Sequence, residues 1–420
     1  MRQFLGLGLG AIQAGLFLYE AQQSGQFSRL AVTSRRAAMV ASLRRAAGTI
    51  ALNIAHADSL EQAQIRGVDS YHSAAGSEDN ETIIEAIAQA SDIATALRSV
   101  EDYSGDTPYS PQQLLAAGLC RKARQDMPKA VIYAAENHNH AAELLEAAVY
   151  RCIPAAEQPK VRQYACFVNT VIGKMSGSQA PAAYEASRGR LEPITPDADE
   201  AYLVEAFNAI RISRVPPSFG SGFAFQQHDD LLPFEEAKLY GHNATHALLA
   251  YLGRFSSAQH MHALTAYPAL LNLAREAFLE ESGAALQRKY AGLDPLFSPE
   301  GYQDYAEDLL QRMVNPYLQD SIARVCRDPL RKLAWHDRLI GTMRLAASQG
   351  IEARRYALAA AAAVHMWCEA IPRAIPSDAE GLETLLNPLW PAEEAAMKAH
   401  IYDQLSAALT ALPDVVASWR

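Results

Sequence analysis

The sequence predicts two domains of different class: an α/β domain over residues 1–190, built on a parallel sheet, and a mainly all-α domain over residues 191–420. Three observations lead there. Short apolar runs alternate with longer helical patterns through the first 190 residues, as a parallel sheet covered by helices requires. A glycine turn, Gly6-Leu7-Gly8-Leu9-Gly10, follows the first apolar run directly and precedes a helical pattern, the strand–turn–helix context of an α/β domain. Beyond a Gly-, Ser- and Pro-containing stretch from Ser176 to Pro196, alanine and leucine dominate and apolar residues recur at helical spacing.

The elements follow in order. Arg2 to Leu5 reads as a buried strand, and Ala11 to Gln23 as the helix after it. Leu30 to Thr33 is a second apolar run and Arg35 to Ala47 a second helical pattern. The stretch from Thr49 to Asp79 reads either as an extra pair of strands or as an inserted loop. Asp92 to Leu97, Ala130 to Ala134 and Tyr164 to Asn169 are further strands. Glu81 to Ala90, Pro111 to Arg124 and His140 to Tyr150 are the helices among them. Past residue 190 the periodicity predicts helices over Ala201–Ile212, Pro233–Arg254, Tyr302–Asn315 and Arg354–Ala370, without strand-like alternation.

Composition narrows the partners. Half of the 420 residues are apolar and a fifth are charged, the balance of a soluble globular chain. A formal charge of -10 argues against nucleic acid, because phosphate binding needs a basic face. Acidity also serves solubility. The cysteines (Cys120, Cys152, Cys166, Cys326, Cys368) are odd in number and lack a C-x-x-C pair, so the reading is reduced, buried thiols in a cytoplasm. Arg2 and the apolar residues after it mimic the start of a signal peptide, but four glycines in fifteen residues weaken such a helix and no small-x-small site precedes Glu20. No later stretch has the length of a membrane span. The expected protein is cytoplasmic, a monomer or dimer, with a small-molecule substrate.

Backbone without Cβ can approach a pyrophosphate, and a helix start offers free N–H groups with partial positive charge. Read from Gly8, the spacing is G-x-G-x-x-x-x-G (Gly8, Gly10, Gly15), with Gln13 where the strict pattern has its third glycine. The second strand ends Val32-Thr33-Ser34-Arg35-Arg36, where a carboxylate usually holds the ribose hydroxyls. Two guanidinium groups suit a 2′-phosphate instead, which predicts NADP over NAD. Alternatively, Arg35 and Arg36 simply open a solvated helix.

The second polar cluster is Lys238-Leu239-Tyr240-Gly241-His242-Asn243-Ala244-Thr245-His246. On a regular helix with Lys238 at zero, Asn243 lies near roughly 140° and His246 near roughly 80°. Ala244, Ala247, Leu248 and Tyr251 fall between roughly 180° and 280°, on the other side. A solvated polar face is one reading. The other is alcohol oxidation, in which a lysine whose pKa is lowered by burial takes the hydroxyl proton. Asn243 and His246 then donate to the developing alkoxide, and Asn169, at the end of the last strand of the first half, completes the hole. No zinc ligand set is evident; Glu136, His138 and His140 more plausibly cap a helix or line a cofactor loop.

These residues resemble the mannitol dehydrogenase group of polyol-specific long-chain dehydrogenases, above all its mannitol-1-phosphate 5-dehydrogenase branch. The carriers are Ala135-Glu136-Asn137, the run Cys166 to Ile172, and K-x-x-x-x-N-x-x-H from Lys238 through Asn243 to His246, continuing to Gly253. Asn315-Pro316-Tyr317-Leu318, Arg324 to Leu333 and Asp337 to Gly341 extend the likeness, which runs from about Phe4 to Ala363. The resemblance implies a metal-free mechanism with the active site between a Rossmann-like and a helical domain. It implies Lys238 as general base, Asn169 and Asn243 as the oxyanion site and His246 as a ligand of a substrate hydroxyl. Arg324 and Lys332 become substrate ligands, and with Arg327 and Arg331 they form a basic run suited to a sugar phosphate; the same run also reads as cations at a helix end. Gly6, Gly8, Gly10, Ala11, Ile12, Ser34, Arg35, Arg36, Thr95, Glu136 and Asn137 become the NADP or NAD site. Gln13, the stretch Thr49–Asp79 and the tail after Ala370 depart from the family pattern. The implied reaction interconverts mannitol 1-phosphate and fructose 6-phosphate. Oxidation of an unphosphorylated polyol or sugar acid is the alternative, and a non-catalytic dinucleotide sensor is the alternative of another class.

Overall fold

The first strand, β1 (Arg2–Leu7), lies inside a sheet and buries four consecutive residues, Phe4 through Leu7. A strand covered on both faces needs this continuous apolar run rather than alternation. The computed structural model describes every residue except 1, 106–108, 185–187, 208, 372, 377 and 420. The chain separates into two compact units, Met1–Leu232 and Pro233–Arg420.

The first unit holds the strands β2 (Phe27–Ser34), β3 (Ile50–Ala55), β4 (Leu60–Ile65), β5 (Val68–His72), β6 (Asp92–Thr95) and β7 (Ala130–Ala134). The remaining strands are β8 (Ala165–Ile172), β9 (Ser176–Gln179), β10 (Ala201–Glu205), β11 (Ile210–Ser213) and β12 (Gln226–His228). An eight-stranded sheet runs in the order β12-β11-β8-β7-β6-β1-β2-β5. It is parallel from β5 to β8, and β11 joins β8 antiparallel. Reversal of strand order about β1 puts the ends of β1 and β2 beside that of β6, where an open parallel sheet binds ligands. A second sheet, β4-β3-β10-β9, lies beside the helix after β1. Gly15 permits that approach, since a Cβ there would stand 2.4 Å from Val204 Cγ1.

Three expectations change. Thr49–Asp79 contains three strands, β3, β4 and β5, rather than a pair or a loop. Ala201–Ile212 is not helical but forms β10 and β11. All five residues of β10 are buried, and four of them, Ala201 to Val204, form a short apolar run with no period that separates strand from helix. The strands beyond residue 190 thus belong to the first unit, and the change to helix falls after Leu232 rather than at 190. Asn53, wholly buried in β3, holds the segment before β10 by donating to the carbonyls of Glu192 and Tyr202 at 2.9 and 3.0 Å.

In the second unit the named elements are all helices. The helix Arg354–Ala370 packs against Ala244–Gly253 and Ala395–Ala417. Its buried alanines, Ala357 and Ala359 to Ala363, keep that contact face thin, and interaxial distance depends on the side chains at the contact. Tyr356 ties three segments together, its hydroxyl 2.7 Å from Thr245 Oγ1 and 3.0 Å from Ser282 Oγ. No helix among the described residues is long and apolar enough to cross a membrane. All five cysteines are free; Cys120, Cys326 and Cys368 are buried, whereas Cys166 is half-buried and Cys152 exposed, against the expectation of burial.

Candidate active site

The glycine turn opens a cavity of about 630 Å³ in the first unit. Its walls are the turn Leu7-Gly8-Leu9, the end of β2 from Thr33 to Arg36, Ser73 to Ala75, and Ala96 to Arg98, with Asp102 and Tyr109 farther out. Gly8 is at φ 90°, and a Cβ there would stand 2.9 Å from the Ala96 carbonyl oxygen, so only glycine keeps this bend. Thr33 fixes the turn by accepting the Gly8 N–H at 3.1 Å. These features suit a dinucleotide cradle at the end of a first strand. At its rim, Arg36 pairs with Glu200 at 2.6 Å. Arg35 stands 3.8 Å from Asp102, whose carboxylate is also bound by Arg98 at 3.0 Å. Paired by both arginines, Asp102 is held below the usual carboxylate range, chiefly by the Arg98 hydrogen bond, which outweighs its burial.

Of the expected cofactor residues, Gly8, Ser34, Arg35 and Arg36 line this cavity. Gly6, Gly10, Ala11, Ile12, Thr95, Glu136 and Asn137 do not. Gly6 makes room for Gln13: a Cβ at Gly6 would fall 2.2 Å from Gln13 Nε2. Gln13 is wholly buried, and the helix accommodates it with wide, i→i+5 turns over Gln13–Leu18. Thr95 and Glu136 are buried and bonded to each other at 2.9 Å. Glu136 also accepts the Leu97 N–H at 2.8 Å and the Tyr103 hydroxyl, so it shapes the cavity wall from behind. Asn169 accepts the Ala142 N–H and donates to Glu143, both at 2.8 Å, which caps the helix Ala141–Cys152.

The lysine segment departs from a regular helix, and the departure matters. Residues Ala237–Asn243 form wide i→i+5 turns between Leu232–Glu236 and Ala244–Gly253. At roughly 80° per residue across such turns and roughly 100° beyond them, Asn243 lies roughly 40° from Lys238 and His246 within roughly 20° of it. The expected arc of roughly 140° therefore narrows, and the three groups share one side. Widening frees carbonyls, and two find partners: Tyr305 donates to the Ala237 oxygen and Thr342 to the Tyr240 oxygen, both at 3.3 Å. Gly241 faces Tyr302 and Phe278, where a Cβ would be 2.8 Å from the hydroxyl and 2.9 Å from the ring.

Burial pushes the Lys238 ammonium down to about 8, the Arg338 charge adds to this, and Glu235 opposes it. His242 is buried and pushed well below the ordinary imidazole value, chiefly by burial and further by its cationic neighbours, Arg312, Lys238 and Arg338 among them. Its ring centre is 6.2 Å from that of His246.

The basic run does not form one cluster. Arg324 is engaged by Asp320, with Nε and Nη2 each 2.6 Å from a carboxylate oxygen. Arg331 lies 3.4 Å from Asp328, and Arg327 is exposed. Lys332 alone is buried; its ammonium donates to the Arg327 carbonyl and stands 6.0 Å over the Tyr251 ring. Burial, then the Arg338 and Arg331 charges, push it down to about 8. Asp320 and Arg338 escaped the sequence reading. Asp320 lies four residues before Arg324, the spacing of a helical ion pair, and that signal was available.

Residues 230–406 match the mannitol dehydrogenase C-terminal domain. Mannitol-1-phosphate 5-dehydrogenase of Geobacillus stearothermophilus is 30% identical over 228 residues, 54% of this chain and 55% of that protein. The enzyme of the same name from Brevibacillus brevis is 30% identical over 257 residues, 60% of each chain. The match thus spans little more than half the length of these relatives. Among solved structures, Pseudomonas fluorescens mannitol 2-dehydrogenase in ternary complex with NAD and D-mannitol superposes with a TM-score of 0.72 at 15% identity, over 99% of this chain and 93% of that one. A substrate-free D-sorbitol dehydrogenase gives a TM-score of 0.73 at 12% identity, over 99% and 94%. Likeness at these identities concerns the fold.

Proposed function

We propose that this chain, which carries the C-terminal domain of the mannitol dehydrogenase family, is a nicotinamide-dependent oxidoreductase that interconverts a polyol phosphate and its ketose phosphate, mannitol 1-phosphate and fructose 6-phosphate being the leading pair. The observation that carries the reading is a lysine held at about 8, on a widened turn that brings it to the same side as Asn243 and His246. A bound nicotinamide supplies the hydride acceptor for oxidation and the donor for reduction. Neutral Lys238 takes the hydroxyl proton at Nζ as the carbinol is oxidised. Asn243 donates an N–H to the oxygen as negative charge develops on it, and His246 holds a neighbouring hydroxyl. Arg338 repels the proton that Lys238 gains, which keeps the amine poised near neutrality.

The exposed guanidinium groups of Arg327 and Arg331, close in sequence to buried Lys332, together with the named relatives, favour a phosphorylated substrate. An unphosphorylated polyol is the second reading. Asp320 occupies the Arg324 fork and Asp328 stands at Arg331, which lowers the positive charge left for a phosphate. For the cofactor we favour NADP: β2 ends without a carboxylate, and Ser34, Arg35 and Arg36 line the cavity. Initial rates with fructose 6-phosphate against fructose, each with NADPH and NADH, test both choices. Reduction of fructose alone removes the phosphate, and a lower KM for NADH at equal turnover removes the preference for NADP.

A further inference from the structure

Asp320 is fixed from several sides. Its carbonyl accepts the Met261 N–H at 2.8 Å, and Ile322 just beyond donates to the Gln259 carbonyl at 3.0 Å. The carboxylate is 8% exposed and faces two of the residues assigned to substrate. Arg324 grips both oxygens at 2.6 Å, a two-point fork that sets the plane of the carboxylate. Oδ2 is also 3.2 Å from His246 Nε2, within ion-pair distance but out of hydrogen-bond alignment, and that buried nitrogen has no other partner among the described residues.

An ionised carboxylate only accepts hydrogen bonds. A bare ring nitrogen 3.2 Å from that carboxylate would be repelled by it, so the close approach favours hydrogen on the His246 nitrogen that faces it. In a neutral imidazole the other nitrogen, Nδ1, is then bare and accepts. We propose that Asp320 is the positioning residue of this site: held by Arg324, its carboxylate selects the His246 tautomer with hydrogen on Nε2, so that Nδ1 is presented as an acceptor to a substrate hydroxyl. The inference rests on the polyol dehydrogenase reading for its role, not for its geometry. It reverses the expected direction of the His246 bond, which receives a hydroxyl hydrogen instead of donating to the alkoxide. It also makes Arg324 a brace for Asp320 rather than a clamp on phosphate.

Long-range proton–nitrogen spectra of the full chain, labelled at histidine nitrogens and recorded near about pH 8.5, read the tautomer directly, with His246→Gln assigning the signal. The expected wild-type form is Nε2–H. Asp320→Ala mixes the two tautomers, and the isosteric Asp320→Asn, which keeps an acceptor oxygen, restores Nε2–H. In turnover, Asp320→Ala raises the KM for the polyol about tenfold, changes kcat less than about threefold and leaves the cofactor KM unchanged, and Asp320→Asn recovers most of the loss. A wild-type Nδ1–H tautomer, or a polyol KM in Asp320→Ala within about twofold of wild type, overturns the proposal. Should Asp320→Ala not fold, the wild-type tautomer and the Asn variant decide. A wild type that turns over no polyol but shows Nε2–H defeats the functional reading and not the positioning geometry.

Discussion

With Lys238 as the proposed base, the chemistry rests on a single titration. With its ammonium at about 8, a bound alcohol meets a neutral base above that pH and a cation below it. Oxidation is expected to rise as pH passes upward through about 8 and then level, while ketose reduction, which needs the lysine to return a proton, falls over the same interval. Parallel pH–rate profiles in the two directions check this, and profiles that move together refute it. Lys238→Ala should lower turnover roughly 10²- to 10⁴-fold with cofactor binding nearly intact. Asn243→Ala should cost about 3 kcal/mol of transition-state stabilisation, read as a fall in kcat rather than a rise in KM. At the rim of the first-unit cavity, Arg35 is only loosely paired, at 3.8 Å from Asp102. Arg35→Ala is therefore expected to raise the KM for NADPH and leave that for NADH unchanged, and equal effects on both would remove the 2′-phosphate contact.

Among elements, the widened turn at Ala237–Asn243 does what a regular helix would not. The sequence carries the spacing of Lys238, Asn243 and His246 openly, and their chemistry follows from residue type. Their phase is hidden, because it depends on partners far along the chain: Phe278 and Tyr302 against Gly241, Tyr305 on the Ala237 carbonyl and Thr342 on that of Tyr240. Gly241→Ala drives a Cβ against Tyr302 and Phe278, so it should destabilise the protein by about 1–3 kcal/mol and lower kcat by moving Lys238 out of phase with Asn243. A variant with unchanged melting temperature and turnover would mean that the turn bears no strain at this contact. The glycine turn of the first unit was legible because its cause is local: Gly8 at φ 90° follows directly from β1. Thr95 and Glu136 were expected to bind the cofactor, yet they do not line the cavity; their part in its support was not legible, since the bonds from Leu97 and Tyr103 cross from other elements. Asp320 was within reach of spacing alone, while its approach to His246 was not, because 74 residues separate them in sequence.

For the whole molecule, the strands that follow residue 190 decide how the chain divides. β10 enters the second sheet between β3 and β9, and β11 and β12 extend the first, so segments distant in sequence finish the unit that holds the cavity. Every residue lining that cavity belongs to Met1–Leu232, whereas Lys238, Asn243, His246 and Asp320 all belong to Pro233–Arg420. On the proposed reading, cofactor binding and proton transfer draw on separate sets of side chains, and a change in one set should leave the other's signature in place. A ligand present at a hundred times its Kd stabilises the folded state by about 2.7 kcal/mol. Calorimetry of the full chain with NADPH should show a shift of that size, retained by Lys238→Ala and diminished by Arg35→Ala. The opposite pattern, a shift lost with Lys238 and kept without Arg35, would move the cofactor away from the glycine turn and undo the division of labour between the two units.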